Sequence, residues 1–125
     1  MMWGRWVAIA ALNGLMAVAL GAFAAHELKK HLDEARLAIF EVGVCYQMYH
    51  ALALLGAAWA MSVAPSRIAT GSAIFFLLGI VLFSGSLYAL SFVRWKWLGP
   101  ITPLGGACFL VAWALLAWAA LRAPR

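Results

Sequence analysis

The spacing of the charged residues constrains this chain more than any other feature. Arg5 and Glu27 are separated by 21 uncharged residues, Glu41 and Arg67 by 25, Arg67 and Arg94 by 26, and Lys96 and Arg122 by 25. An α-helix needs about 20 apolar residues to cross the hydrocarbon core of a bilayer. Lipid offers the backbone no hydrogen-bond partners, so continuous apolar runs of this length resolve into helices. Four windows predict four transmembrane helices, near 6–25, 42–63, 70–93 and 103–121, in one domain over 1–125. The alternation of a membrane β-barrel is missing. The predicted fold class is all-α: an integral membrane bundle of four transmembrane helices, with a short amphipathic interfacial helix between the first and the second.

Composition agrees. Hydrophobic residues make up 67% of the 125 and charged residues 10%, against roughly 45–50% and about 25% in soluble domains. A soluble fold of this size cannot hide that much apolar surface, which excludes a water-soluble enzyme. Nine Lys and Arg against four Asp and Glu give a net charge of +5. The cations are scattered singly and in pairs without interleaved aromatics, so no nucleic-acid partner is expected; they fit contacts with anionic lipid headgroups better. Cys45 and Cys108 lie inside apolar stretches. Without a C-x-x-C spacing they read as small apolar side chains buried in the membrane.

The first span has a rival reading as a signal peptide, because Arg5, an apolar core and Ala22-Phe23-Ala24 imitate a cleavage site. Its core is long for a signal, and it reads as a helix. Residues 26–41, HELKKHLDEARLAIFE, hold seven of the thirteen charges. Leu28, Leu32, Ala35 and Ile39 recur at helical spacing, which predicts the interfacial helix; a solvated connector is the alternative. Pro65 ends the second span. In GPITPLGG, 99–106, Thr102 followed by Pro103 suits an N-cap and first helical position.

Four helices put Arg5, Arg67, Arg122 and Arg125 on one side and Lys29, Lys30, Arg36, Arg94 and Lys96 on the other. Four cations against five select no orientation. Trp3, Trp6, Trp59 and Trp118 fall toward one interface and Trp95 and Trp97 toward the other, as aromatic belts do. Trp113 is mid-span and is expected to pack.

At about 1.5 Å per residue from the 26–41 side, Tyr46, Gln47, Tyr49 and His50 come roughly 6–13 Å deep and Tyr88, Ser86 and Ser84 roughly 9–15 Å deep. His26 closes the first helix there and Thr102 opens the fourth. The opposite half is apolar except for Asn13. Tyr46, Gln47 and His50 share one helical face, as do Ser84 and Tyr88. The candidate site is therefore a polar cluster of His26, Tyr46, Gln47, His50, Ser84, Ser86, Tyr88 and Thr102. It is expected between the second and third helices with His50 at its centre, roofed by the 26–41 segment and the 99–106 turn. Such groups serve either as interhelical hydrogen-bonding glue or as a working site, the default for an intramembrane ionisable residue such as His50. His26, beside Glu27, reads equally as an interfacial anchor.

A metal centre from His26, His31 and His50 with Glu27 or Glu41 lacks the close ligand pairs of zinc sites. No G-x-S-x-G, P-loop or H-E-x-x-H occurs. No cofactor or catalytic residue is assigned. Asn13, Ala17, Gly21 and Ala25 form a stripe at i,i+4 spacing, and Gly56-Ala60 and Gly85-Ala89 are small-xxx-small pairs; these suit internal packing, a homo-oligomer, or both. The two halves of the chain show no internal repeat.

Four motifs occur in order: Gly21-Ala22-Phe23-Ala24-Ala25-His26, Tyr46-Gln47-Met48-Tyr49-His50-Ala51-Leu52-Ala53-Leu54-Leu55, Leu82-Phe83-Ser84-Gly85-Ser86-Leu87-Tyr88, and Gly99-Pro100-Ile101-Thr102-Pro103-Leu104-Gly105-Gly106. Together, from about Asn13 to Trp113, they resemble the small bacterial inner-membrane proteins of domain-of-unknown-function family 423, relatives of eukaryotic transmembrane protein 256. One departure is Ala24, where the family pattern has a Gly in G-A-H. The resemblance implies a four-helix, multi-pass protein of the bacterial cell (inner) membrane, and no settled activity. Its motif residues coincide with the polar half of the bundle, with Pro103 added.

Three functional readings follow. The leading one is a non-enzymatic membrane protein that binds a lipid, a small molecule or a protein partner at the polar leaflet. The second is an oligomeric transporter or channel for a small solute, an ion or protons. The third is an enzyme acting on a lipid or quinone with His50 as general base, which would need a carboxylate or metal within reach of that histidine.

Overall fold

The computed structural model describes residues 1–124. Among them every regular element is helical. α1 runs over Met2–His26 and α2 over Glu34–Val63. The third span is divided into α3 (Arg67–Gly79), a π-helical turn (Ile80–Ser84) and α4 (Gly85–Phe92). α5 runs over Ile101–Arg122. Short 3-10 turns, Leu28–Lys30 and Lys96–Leu98, precede α2 and α5. Four helical stretches, beginning at Met2, Glu34, Arg67 and Lys96, are long and apolar enough to cross a membrane. The four-helix, all-α membrane fold expected from the charge spacing is therefore observed.

Two helix starts are set by local chemistry. Asp33 is extended, and its carboxylate accepts the backbone N–H of Arg36 at 2.8 Å; Ser66 is extended and accepts the N–H of Ala69 at 3.0 Å. Each satisfies a first-turn donor that would otherwise lack a partner. The Asp33 cap also divides the segment before α2. The 26–41 segment is not one interfacial helix. It divides at Asp33 into the 3-10 turn and the opening turns of α2, so the stripe through Leu28, Leu32, Ala35 and Ile39 is never formed on one continuous helix. Leu28 is instead buried with Ala24 and Phe40, against Leu32, Leu37 and Tyr88, closing the end of the bundle from within.

α5 starts earlier than the Thr102-Pro103 pair suggests. Its N-cap is Pro100 rather than Thr102, and the helix begins at Ile101. Thr102 turns its hydroxyl to Ser86 instead. Pro103 falls at the third helical position, still among the first four residues whose N–H groups have no intrahelical acceptor.

α1 packs on α2, and α5 packs on α3 and the π turn. α2 stands between α1 and the second hairpin and touches every segment of the third span. Alanines make the close contacts: Ala57, Ala69, Ala73 and Ala112 are fully buried in one cluster with Leu54 and Phe76. Small residues let helix backbones approach where lipid gives no hydrophobic drive for association. The large apolar side chains, among them Leu12, Leu15, Leu110 and Leu121, face outward. So does Cys45, while Cys108 is half-buried; neither thiol is a core residue.

Candidate functional site

Gln47 is 2% exposed near the middle of α2. Its amide nitrogen donates to Asn13 Oδ1 at 3.2 Å, and its Oε1 accepts the Tyr88 hydroxyl at 2.6 Å. Asn13 Nδ2 donates in turn to the Ile9 carbonyl at 2.9 Å. The result is a directed chain from α4 through α2 to α1, in which one amide orientation serves every donor and acceptor. Asn13, read from the sequence as belonging to the opposite half, is part of it. It lies at the midpoint of α1, as Gln47 lies near the middle of α2. Tyr88 fits against Gly43, where a Cβ would stand 2.8 Å from the ring.

His50 is not the centre of this chain. Its Nδ1 lies 2.7 Å from the Tyr46 carbonyl, and its Nε2 lies 3.2 Å from Trp113 Nε1. A carbonyl only accepts and an indole N–H only donates. The network therefore assigns the neutral imidazole with its proton on Nδ1. The ring is stacked on Phe109, with centroids 3.5 Å apart and planes 5° apart. Phe109 lies flat against Gly79, whose missing Cβ would come within 3.1 Å of the ring Cγ and closer to its edge. His50 thus joins α2 to α5 inside an aromatic wall, with both nitrogens in use. All four carboxylates lie within residues 27–41. The last of them, Glu41, is nine residues from His50 along α2, about 14 Å along the helix axis.

The serines form a third set. Ser84 Oγ donates to the Gly43 carbonyl at 2.7 Å. Ser86 bonds the Thr102 hydroxyl and the Phe83 carbonyl. Ser72 donates to the Ala112 carbonyl at 2.9 Å, a contact with no signal in the sequence beyond a small polar residue in a buried stripe. Ser84 closes the π turn, in which the Gly85 N–H reaches back to the Ile80 carbonyl. At that turn α5 comes so close that a Cβ on Gly105 would lie 2.7 Å from Phe83 Cα, and closer to its nitrogen.

Of the eight expected residues, the fold joins Gln47 to Tyr88 and Ser86 to Thr102 directly. Tyr46 contributes its carbonyl to His50, and its exposed ring packs on Phe83. His26 is exposed at the end of α1, apart from the rest. Among the described residues no buried side-chain polar atom lacks a partner, and no group of three or more His, Cys, Asp or Glu could hold a metal ion.

The family model described as a protein of unknown function (DUF423) matches residues 20–106, from the last third of α1 into α5. The chain belongs to this family. All eight expected site residues lie inside the match, whereas Asn13 lies outside it. The chain is 42% identical to the UPF0382 membrane protein YwdK of Bacillus subtilis, over 94% of this chain and 96% of that protein. It is 43% identical to the UPF0382 inner membrane protein YgdD of Escherichia coli K12, over 93% and 88%. With a UPF0382 membrane protein of Haemophilus influenzae the identity is 41% over 94% of each chain. No solved structure matches. The resemblance carried by the four motifs is thereby shown, and the chain is an integral membrane protein of a family without an established activity.

Proposed function

We propose that this protein is a non-catalytic, lipid-binding protein of the bacterial inner membrane that works through its surface at the bundle ends. The observation that carries this reading is the complete internal use of its buried polar groups. Gln47, His50, Ser72, Ser84 and Ser86 each bond a group on a neighbouring helix, which is the pattern of interhelical glue. A proton relay or a general base needs an atom free to exchange protons with a substrate or with water, and His50 offers none in this arrangement. Concavities open instead at the ends of the bundle, where headgroups lie. One of about 720 Å³ is bordered by Trp3, Met61, Arg67 and Ile74. Another of about 430 Å³ lies at the opposite end.

Native mass spectrometry after extraction in a mild detergent tests the reading. Phospholipid retained in defined stoichiometry is the expected result. A lipid-free protein under conditions that preserve its helicity would overturn it, as would proton or ion flux in proteoliposomes that is lost in His50→Ala.

A further inference from the structure

Resting on the lipid-binding reading, we propose that the groove between the start of α2 and the α4–α5 connection is a site for the phosphate-bearing headgroup of an anionic lipid. The groove is bordered by Arg36 and Ile39 of α2, by Leu90 of α4, and by Arg94, Trp95 and Lys96 of the connection. Three cations from two hairpins thus converge on one concavity, against the single carboxylate of Asp33 at its rim. Asp33 is engaged in capping Arg36 N–H. Among the described residues the one ion pair is Lys30–Glu27, so Arg36, Arg94 and Lys96 keep their charge for an outside anion.

The depth and the floor suit a lipid. Trp95 and Trp97 are exposed and stacked, with centroids 5.5 Å apart, and such indoles settle at the headgroup level. Ile39 and Leu90 supply an apolar floor that leads from the charged rim toward the hydrocarbon. Gly99, at the groove's edge, stands just before α5, whose first turn has no side-chain cap. The positive end of that helix therefore adds to the attraction for an anion. Basic pockets between membrane helices recognise anionic headgroups by this combination. Phosphate is the shared chemistry, and the apolar floor selects the lipid over the free ion.

The test is lipid retention by the full chain in a mixture of phosphatidylglycerol, phosphatidylethanolamine and phosphatidylcholine, read by native mass spectrometry with circular dichroism alongside. Each of Arg36→Gln, Arg94→Gln and Lys96→Gln is expected to reduce the preference for phosphatidylglycerol about fivefold, and the triple variant on the order of a hundredfold. Lys29→Gln, an exposed cation at the same end but outside the groove, is expected to leave it unchanged. If Lys29→Gln matches Arg94→Gln, the attraction is diffuse and the site is refuted. Retained lipid with no preference for the charged headgroup also refutes the site while leaving the lipid-binding reading intact, whereas loss of all lipid refutes that reading itself. Inorganic phosphate that displaces the lipid and binds as tightly alone would reassign the groove to the free ion.

Discussion

Gly105 and Gly106 are neighbours on α5 with opposite surroundings, and replacing each by alanine isolates the close crossing at the π turn. A Cβ on Gly105 would lie 2.7 Å from both Cα and Cβ of Phe83, inside any tolerable contact, and two of the atoms it meets are backbone. No rotamer change relieves that overlap; α5 has to move away from the third span. A Cβ on Gly106 meets only Phe83 Cδ2 at 3.9 Å, an ordinary contact. Both substitutions bring the same gain in helix propensity, up to about 1 kcal/mol, so it cancels in their difference. What remains is overpacking, typically about 1–3 kcal/mol and toward the upper end here because the obstacle is main chain. Gly105→Ala should therefore be the less stable of the pair by about 2–3 kcal/mol, a thirty- to hundredfold or larger shift in the folding equilibrium by the usual conversion of about 1.4 kcal/mol per decade. Reversible unfolding in mixed micelles by sodium dodecyl sulfate, followed by circular dichroism, gives both midpoints. Equal midpoints would mean that α5 does not rest on the backbone at Phe83 and that the π turn is not the fulcrum of the crossing.

Two further perturbations address the polar network. Tyr88→Phe removes the donor to Gln47 Oε1 and should cost about 0.6 kcal/mol, with about 1.7 as an upper bound for such bonds in membranes; a double-mutant cycle with Gln47→Met reads the coupling, and a value of zero would deny the bond. Nitrogen-15 spectra of His50 should show the neutral ring with its proton on Nδ1, and Trp113→Phe should alter the Nε2 signal by removing its donor. A proton found on Nε2 in the native protein would contradict the bond to Trp113.

The fold was legible because its determinants are coarse: uncharged runs of 21 to 26 residues between Arg5 and Arg122 specify spans whatever packs against what. The site was only partly legible. Gln47, Tyr88, Ser86 and Thr102 could be singled out because polar atoms in lipid require partners, but periodicity does not say which partner each one finds. Asn13 was assigned to the wrong set because depth was counted from helix ends. The second span was expected to begin near 42, whereas α2 begins at Glu34, so Gln47 stands near the middle of its helix, as Asn13 does in α1, and not near its end. The π turn escaped for a related reason. Its five residues, Ile80–Ser84, carry no break in the apolar pattern beyond Ser84, and the groups that meet the turn, Gly105 and the Gly43 carbonyl, lie on other helices. The cations of the groove looked scattered because Arg36 and Arg94 are 58 positions apart in the sequence and meet only when the two hairpins pack.

That meeting gives the internal network a consequence at the surface. Arg36 belongs to the α1–α2 hairpin, while Arg94 and Lys96 belong to the connection between α4 and α5. The groove's charge depends on the register between these two units. Register is held by bonds that cross from one hairpin to the other: Tyr88 to Gln47, Ser84 to the Gly43 carbonyl, and Trp113 to His50. A slip of one helical turn moves a side chain about 5.4 Å along the axis, enough to break each of these bonds and to carry Arg36 away from Arg94. Alanine-rich faces alone resist such a slip weakly, since one alanine replaces another at the next turn, whereas a paired amide and phenol do not. Tyr88 and Ser84 also lie in the half of the bundle that ends at the groove, where a tie fixes the relative position of the cations with the least intervening chain. The bonds that tie the two hairpins together and the convergence of cations at the groove are thus two expressions of one register.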